Sequence, residues 1–227
     1  MKNRFIFALG IWSCGICLVA SPTPAPTPAV LPEHVYFIGA HPDDMIGMAA
    51  LAIAVSTNAR FRVHVVDLTR GGAGLAGVST GETCRVRSAE ERKACALLGV
   101  EPVFLEEPDG AACAGRATCE KLAALFRDAT PRAVVTHWPV DEHMDHVACY
   151  AVVMNAIRFA RLPRRPELYF FEESIQTRSM PVMFYFPFGQ DLMDRKSGFV
   201  RCYPCQNPGD GETRRKILEA KYHGWKS

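Results

Sequence analysis

Apolar and polar residues change their spacing repeatedly along this chain, and the changes divide it into alternating short and long segments. From residue 34 onward, short apolar runs that are typical of buried strands are separated by longer segments with apolar residues at helical spacing. This alternation predicts a single-domain α/β fold, in which a Rossmann-like open parallel sheet carries helices on both faces. The predicted strands are residues 35–40, 61–68, 102–105, 132–138 and 167–171, and the predicted helices are residues 45–55, 87–98, 119–129, 147–160 and 214–221.

The N-terminal segment has a different pattern from the rest of the chain. Lys2 and Arg4 precede an uncharged apolar run that ends at residue 20, which is typical of a signal peptide and is shorter than the roughly 20 apolar residues that a spanning helix needs. We therefore expect a signal peptide at residues 1–20, a Pro-rich linker at 21–33 and a folded domain at 34–227. The sequence predicts export to the periplasm or out of the cell, with no membrane span in the mature chain. A retained N-terminal anchor or a lipid anchor is the alternative.

Composition and charge narrow the class of partner. The 227 residues include 48% hydrophobic and 22% charged residues, and the net charge is +2, which is typical of a globular domain with a substantial core. Lys and Arg form no cluster of the kind that binds nucleic acid or an anionic membrane. We therefore expect a small-molecule or saccharide substrate and no nucleic-acid partner, while the oligomeric state is left open.

Nine cysteines are present, and seven of them lie outside the predicted signal peptide. In an oxidising compartment some of the seven are expected to pair, and Cys113/Cys119 and Cys202/Cys205 are closest in sequence. The CxxC motif of the second pair has no matching CxxC elsewhere in the predicted domain. A disulfide or two plain thiols are therefore favoured over a zinc or redox motif, and the connectivity stays open.

Two clusters of histidine and aspartate follow predicted strands. The sequence AHPDD at residues 40–44 follows the first strand, and DEHMDH at residues 141–146 follows the fourth. Since ligands bind at the carboxyl ends of the strands in an open parallel sheet, the two clusters are expected to meet there. Imidazole and carboxylate are ligands of catalytic zinc sites, which keep one position open for water. His64 and His137 lie within the strands and are interpreted as core or sheet-edge histidines rather than ligands.

These motifs resemble those of the PIG-L/LmbE-like de-N-acetylases, a family that includes the N-acetylglucosaminylphosphatidylinositol deacetylases. AHPDD at residues 40–44 and HMDH at residues 143–146 carry the resemblance. The glycine-rich segment 68–74, the RxxE segment 87–90 and the PDG turn 108–110 support it, and it extends over most of the predicted domain. The resemblance implies an enzyme that hydrolyses the N-acetyl or other N-acyl amide of an amino-sugar-containing substrate.

Carried over residue by residue, the resemblance implies a metal site and a general base. His41, Asp44 and His146 would bind zinc, with iron(II) as the alternative because His/His/Asp sites accept either metal. Asp43 would take a proton from the attacking water. These roles agree with the needs of metal-assisted amide hydrolysis, in which the metal polarises the carbonyl and acidifies water.

The resemblance also assigns roles to side chains around the implied metal. His143 would stabilise the oxyanion and protonate the leaving amine, and Asp145 would orient and charge-stabilise His143. Arg70 and Asp109 are candidates for contacts to substrate hydroxyls, although structural roles fit them equally well. Arg87 is either functional or one half of an ion pair on a helix surface.

A few positions depart from the family pattern. Met45 stands where the family usually has Glu after the two aspartates, and Gly72 and Ala73 stand where Glu is common. These departures motivate an alternative hypothesis, in which the chain is a non-catalytic saccharide- or metal-binding member of the same fold. A third hypothesis keeps the metal and the hydrolysis but changes the amide, for example to a peptide-like or thiol-conjugate amide.

Overall fold

The computed structural model describes residues 31–172 and 176–206 as one α/β domain built on a parallel sheet. Its strands are β1 (Glu33–Gly39), β2 (Phe61–Thr69), β3 (Val103–Glu107), β4 (Pro131–His137) and β5 (Glu167–Phe171). They pair in the order β3-β2-β1-β4-β5, and every pairing is parallel. This order is that of a Rossmann-like sheet and confirms the predicted fold. The predicted signal peptide, residues 21–30 of the linker and the predicted helix at 214–221 lie outside the described residues.

Helices cover both faces of the sheet, as predicted. Within the described residues they are α1 (Met45–Ser56), α2 (Thr80–Ala96), α3 (Arg116–Asp128), α4 (Met144–Ala160) and α5 (Gln190–Val200). α1, α2 and α5 contribute to the core on one face, whereas α3 and α4 contribute to the core on the other. In this part of the chain no helix combines the length and the apolar character that crossing a bilayer requires.

The central strand β1 contributes side chains to both cores. Successive side chains of a strand point to opposite faces, so Val35 and Phe37 pack with α1 whereas Tyr36 and Ile38 pack with α3 and α4. None of the four is more than 6% exposed. Because full burial of a large apolar side chain contributes about 1.5–3 kcal/mol, β1 is firmly held and the loop that follows it starts from a rigid support.

Helix α2 begins earlier than its hydrophobic pattern indicates. It starts at Thr80 rather than at residue 87, and Ser79 caps it by accepting a hydrogen bond from the Glu82 N–H, as in a capping box. Its buried side chains are mostly polar: Thr83, Arg87, Ser88, Glu91, Ala94 and Cys95. A search for apolar periodicity cannot detect such a face, which explains the wrong start and implies that the polar groups have partners inside the protein.

Helix α5 was not predicted from the sequence. It packs against α1 and places Phe199 and Val200 in the core on that face. Only two further residues of the helix are buried, Met193 and Ser197. Because so few apolar residues mark the inner face, the segment does not stand out from its polar surroundings.

The seven cysteines of the described residues are free thiols. Cys202 Sγ lies 3.6 Å from the Gly198 carbonyl oxygen, whereas Cys205 Sγ lies 2.7 Å from Glu90 Oε2. The two thiols therefore have different partners, and neither this pair nor Cys113/Cys119 forms the disulfide that its spacing suggested.

Candidate metal centre and active site

The two His/Asp clusters meet at the carboxyl ends of the adjacent strands β1 and β4. His41 and Asp44 come from the loop between β1 and α1, and His146 comes from the first turn of α4. All three residues are buried, and one ligand atom from each lies within 4.8 Å of the other two. The structure therefore brings the three predicted metal ligands together.

The Asp44 carboxylate has one oxygen fixed by the protein and one oxygen left for a ligand. Oδ2 accepts hydrogen bonds from the backbone N–H groups of Ala40 and His41, at 2.7 and 2.9 Å, and lies 2.9 Å from His137 Nε2. Oδ1 accepts no hydrogen bond within the described chain and lies 3.7 Å from His146 Nε2. Burial acts to raise the pKa of Asp44, but His137 and His41 lower this pKa well below its usual range.

His41 has its Nε2 atom between two carboxylates. Nε2 lies 3.1 Å from Asp109 Oδ1 and 3.1 Å from Asp145 Oδ2, whereas Nδ1 lies 3.7 Å from Asp44 Oδ2. Burial acts to lower the pKa of His41, but the hydrogen bonds to Asp109 and Asp145, together with the negative charge of Asp44, raise it to about 12. The two carboxylates hold a proton on Nε2, so the other ring nitrogen, Nδ1, is directed toward Asp44. Carboxylates orient metal-bound imidazoles in the same way in known metal sites.

The third predicted ligand, His146, is held as a neutral imidazole. Its Nδ1 atom lies 3.1 Å from Asp141 Oδ1, and its ring stacks on that of His137 at 4.1 Å between centroids. Burial, the largest cause, lowers the pKa of His146 to about 4. A neutral ring has a free lone pair for a metal ion on Nε2, the atom that faces Asp44.

These side chains fit a metal ion. Tetrahedral zinc with ligand bonds of 2.0–2.1 Å separates its ligand atoms by about 3.3 Å, and the Asp44 Oδ1 to His146 Nε2 distance of 3.7 Å is close to that value. This distance of 3.7 Å is also too long for a hydrogen bond between Asp44 and His146. Two imidazoles and one carboxylate are also a known donor set of catalytic zinc.

Asp43 lies beside the ligand set and is held by helix α2. Its backbone φ angle is +102°, a region that a residue other than glycine rarely adopts. Its Oδ1 atom lies 2.5 Å from Arg87 Nη2, which also donates to the Pro42 carbonyl, and its N–H donates to Glu91 Oε2 at 3.3 Å. Burial raises the pKa of Asp43 to about 7, against the opposing charge of Arg87.

Arg87 is buried under the glycine-rich loop and is not on the helix surface. Its residue is 5% exposed, and its guanidinium donates to the carbonyl of Gly71. A Cβ atom on Gly71 would lie 2.5 Å from Arg87 Nη1, and a Cβ atom on Gly74 would collide with the same nitrogen. The interpretation of Arg87 as part of a surface pair is wrong. The glycines that precede it were the available signal, since they leave room for the guanidinium.

The side chains of His143 and Asp145 form no hydrogen bond to each other in the described chain, although one ring nitrogen and one carboxylate oxygen lie within 4.8 Å. His143 caps α4, and its Nδ1 atom accepts a hydrogen bond from the Asp145 N–H at 3.2 Å. The Asp145 carboxylate instead accepts from the N–H groups of Gly110 and Ala112, at 2.6 and 3.0 Å, and contacts His41. The hydrogen bonds of this carboxylate therefore orient His41 rather than the His143 ring.

The two predicted substrate contacts, Arg70 and Asp109, have protein partners. Arg70 forms a two-pronged ion pair with Glu106, with N–O distances of 2.6 and 2.7 Å, and lies over the Phe104 ring. Asp109 Oδ2 accepts a hydrogen bond from the Ala73 N–H at 2.8 Å, and its Oδ1 contacts His41. Asp109 thus connects the glycine-rich loop to a predicted metal ligand.

His137 is a site residue that the sequence interpretation missed. It is fully buried at the end of β4, as expected of a core histidine, but it contacts Asp44 and stacks on His146. Its position at the carboxyl end of the strand was the available signal. His64, by contrast, pairs with His34 at 2.8 Å away from the site and agrees with its interpretation.

The geometry defines the chain as a Rossmann-like α/β protein with a candidate His/His/Asp metal centre at the ligand-binding edge of its sheet. The sequence model of the PIG-L family, described as GlcNAc-PI de-N-acetylase, matches residues 36–157, which is just over half of the chain. The chain therefore belongs to the PIG-L family.

Three solved structures show the same fold. The N,N'-diacetylchitobiose deacetylase from Pyrococcus horikoshii has 24% identity and a TM-score of 0.68, with 82% of this chain and 75% of that chain covered. A conserved protein from Thermus thermophilus has 23% identity and a TM-score of 0.63, with coverage of 84% and 88%. The 4-carboxy-2-hydroxymuconate hydratase from Pseudomonas putida has 22% identity and a TM-score of 0.66, with coverage of 86% and 90%. Because the set includes a deacetylase and a hydratase, the fold alone does not specify the reaction.

Proposed function

We propose that this chain is a zinc-dependent hydrolase that removes an N-acetyl group, or another N-acyl group, from an amino-sugar-containing substrate. Membership of the PIG-L family supports a deacetylase. The observation that carries the proposal is the close grouping of His41, Asp44 and His146 beside the carboxylate of Asp43, which is not one of the grouped ligands. A site that only binds a metal ion has no need of that additional carboxylate.

Two side chains near the ligand set, those of Asp43 and His143, carry out different proton transfers. A bound zinc ion would supply polarisation of the amide carbonyl and a lower pKa for water. Asp43 accepts a proton from the attacking water, and Arg87 keeps its carboxylate in one orientation. His143 is half-buried at the start of α4, with its ring centroid 4.7 Å from those of His41 and His146. From there it stabilises the oxyanion and protonates the leaving amine.

Asp44 has partners in the protein although Met45 replaces the family Glu. Met45 is fully buried in the apolar core beneath the sheet. The ligand Asp44 is oriented instead by His137 and by two backbone N–H groups. Contacts of Arg70 and Asp109 with the substrate stay predictions, as does the catalytic role of Asp145.

Acetate release tests the proposal. We expect purified protein to release acetate from N,N'-diacetylchitobiose or from other N-acetylglucosamine conjugates, to lose this activity with a chelator and to regain it with zinc. Turnover that a chelator does not change would contradict the metal mechanism. Stoichiometric metal binding without hydrolysis across a broad N-acyl panel would instead favour the non-catalytic alternative.

Export by the signal peptide at residues 1–20 is part of the same proposal. It rests on the positive charges and the apolar run of the N-terminus. Fractionation of cells that express the full chain, followed by N-terminal sequencing, tests it. A cytoplasmic protein that retains Met1 would contradict it.

A further inference from the structure

The backbone of Asp43 is in a conformation that the surrounding protein must maintain. A non-glycine residue at a φ angle such as +102° costs of the order of 1–3 kcal/mol and persists only where its surroundings fix it. Two buried residues of α2, Arg87 and Glu91, contact it. They are four residues apart and therefore lie on the same face of the helix.

Arg87 and Glu91 hold different parts of Asp43. Arg87 pairs with the carboxylate and with the preceding carbonyl of Pro42. Glu91 accepts the backbone N–H at 3.3 Å. Fixing the amide on one side and the carboxylate on the other leaves the residue little freedom to rotate into a relaxed conformation.

Glu91 is itself fixed from the C-terminal part of the described chain. The residue is fully buried, and its Oε2 atom, which accepts the Asp43 N–H, also accepts the hydroxyl hydrogen of Tyr203 at 2.8 Å. Its Oε1 atom accepts from the Cys95 thiol at 3.2 Å. Tyr203 is 1% exposed and lies in the turn after α5.

We propose that Glu91, held by Tyr203, is a positioning residue that fixes the backbone of Asp43 so that its carboxylate can accept the proton of the attacking water. The inference rests on the proposed function only for the role of Asp43. Glu91 does not touch the ligand set through any hydrogen bond of the described residues, and its action passes through the amide of Asp43. It also gives the turn after α5 a role in catalysis.

Two substitutions at residue 91 separate hydrogen bonding from packing. Glu91→Met keeps a similar volume but accepts no comparable hydrogen bond, whereas Glu91→Gln retains an acceptor oxygen. We expect Glu91→Met to lower kcat by about 10- to 100-fold with a nearly unchanged KM, because misplacement of a reacting group by about 1 Å has that cost. Glu91→Gln should restore most of the loss. Equal losses in both variants would overturn the proposal.

Tyr203→Phe is a milder test of the same proposal, because it removes only one oxygen atom. It can be used if Glu91→Met does not fold. We expect it to lower kcat by about 3- to 10-fold, since one of the hydrogen bonds that fix Glu91 is lost. Tyr36→Phe is the matched control. Tyr36 is equally buried, and its hydroxyl donates to backbone carbonyls of Leu125 and Ala129 on the other face of the sheet. A kcat of Tyr203→Phe equal to that of Tyr36→Phe would contradict the inference.

A double-mutant cycle shows whether Glu91 acts through Asp43. With an activated N-trifluoroacetyl substrate, Glu91→Met should cause little further loss when Asp43 is already Asn. The same fold loss in both backgrounds would overturn the inference, since it would indicate a general structural effect.

Deuterium uptake tests the positioning without any activity. The peptide that contains residues 41–48 should exchange faster in Glu91→Met and in Tyr203→Phe than in Tyr36→Phe. Unchanged uptake would overturn the inference even if the chain is a deacetylase. Full activity of Asp43→Asn would reject the proposed base, while the exchange result would still decide whether Glu91 fixes this backbone.

Discussion

Two groups of buried or half-buried histidines lie at opposite ends of the sheet. At the carboxyl ends of β1 and β4, His41, His137 and His146 have ring centroids 4.1–5.4 Å apart in neighbouring pairs. In the amino halves of β1 and β2, His34 Nδ1 and His64 Nε2 lie 2.8 Å apart. Both groups consist of imidazoles in close contact, but only the first has the surroundings of a metal site.

Carboxylates account for the difference between the two groups. Asp44, Asp109 and Asp145 contact His41, and its pKa is raised to about 12 even though burial acts to lower it. His64 stacks on the Tyr36 ring, and burial followed by the charge of His34 lowers its pKa to about 4. Close histidines alone therefore do not indicate a metal site, whereas histidines that share aspartates at the ends of parallel strands do.

The largest expected difference is between substitutions of one histidine from each group, His146 and His64. We expect His146→Gln to lower deacetylation by about 10⁴-fold and to remove the bound metal, because a metal ion contributes several kcal/mol to transition-state stabilisation. The matched variant His64→Gln should retain both the deacetylation activity and the bound metal. Acetate release and elemental analysis measure the two effects. Metal retained by His146→Gln, or lost by His64→Gln, would show that the ion binds elsewhere.

Asp43→Asn should separate metal binding from catalysis within the first group. The amide has nearly the shape of the carboxylate but cannot act as the base, so we expect kcat to fall by about 10²- to 10³-fold. The metal content should stay close to that of the unmodified protein, because Asp43 is outside the grouped ligands. Steady-state kinetics with elemental analysis checks both statements. A substantial loss of metal would place Asp43 among the ligands instead.

His137→Gln should weaken metal binding without removing a ligand. His137 contacts Asp44 Oδ2, whereas Oδ1 is the oxygen that lies 3.7 Å from His146. Loss of such an outer partner typically costs about 10- to 100-fold in metal affinity. Competition with a chromogenic chelator measures the zinc affinity. Since His137 is also fully buried, thermal unfolding of the metal-free variant distinguishes a weaker site from a disrupted core. An unchanged affinity would mean that the two backbone N–H groups suffice to orient Asp44.

The comparison also explains which parts of the molecule the sequence could predict. Strands and most helices follow from hydrophobic spacing, and the meeting of residues 40–44 with 141–146 follows from the geometry of parallel sheets. Arg87 and Glu91 could not be assigned in this way, because α2 turns a polar face inward. Spacing along a helix does not specify which group lies across the core from a side chain.

The side chains of Asp145 and His143 form no hydrogen bond to each other in the described chain, and the reason is local. Residues two apart on a helix do not face each other, and His143 is the cap of α4 while Asp145 is in its first turn. The carboxylate of Asp145 consequently points to the turn at residues 110–112, from which it receives two backbone hydrogen bonds. The PDG motif marked that turn in the sequence, but its partner was visible only in the fold.

The smallest expected effect concerns the second histidine group and its dependence on pH. The pKa of His64 is about 4 in the folded chain, below the unfolded value near 6.5, so the unfolded state binds more protons between these values. The free energy of unfolding should therefore fall as the pH is lowered from about 6.5 toward 4, with no contribution from His64 above about pH 7. Because His64 is only half-buried, solvent screening reduces the loss to about 1–2 kcal/mol.

Urea unfolding at pH 4.5 and pH 7.5 should show this loss for the unmodified chain relative to His64→Gln, in which the titrating ring is absent while His146 and the aspartates are the same. An identical pH dependence in the two proteins would mean that His64 accepts a proton as readily in the folded state as in the unfolded state.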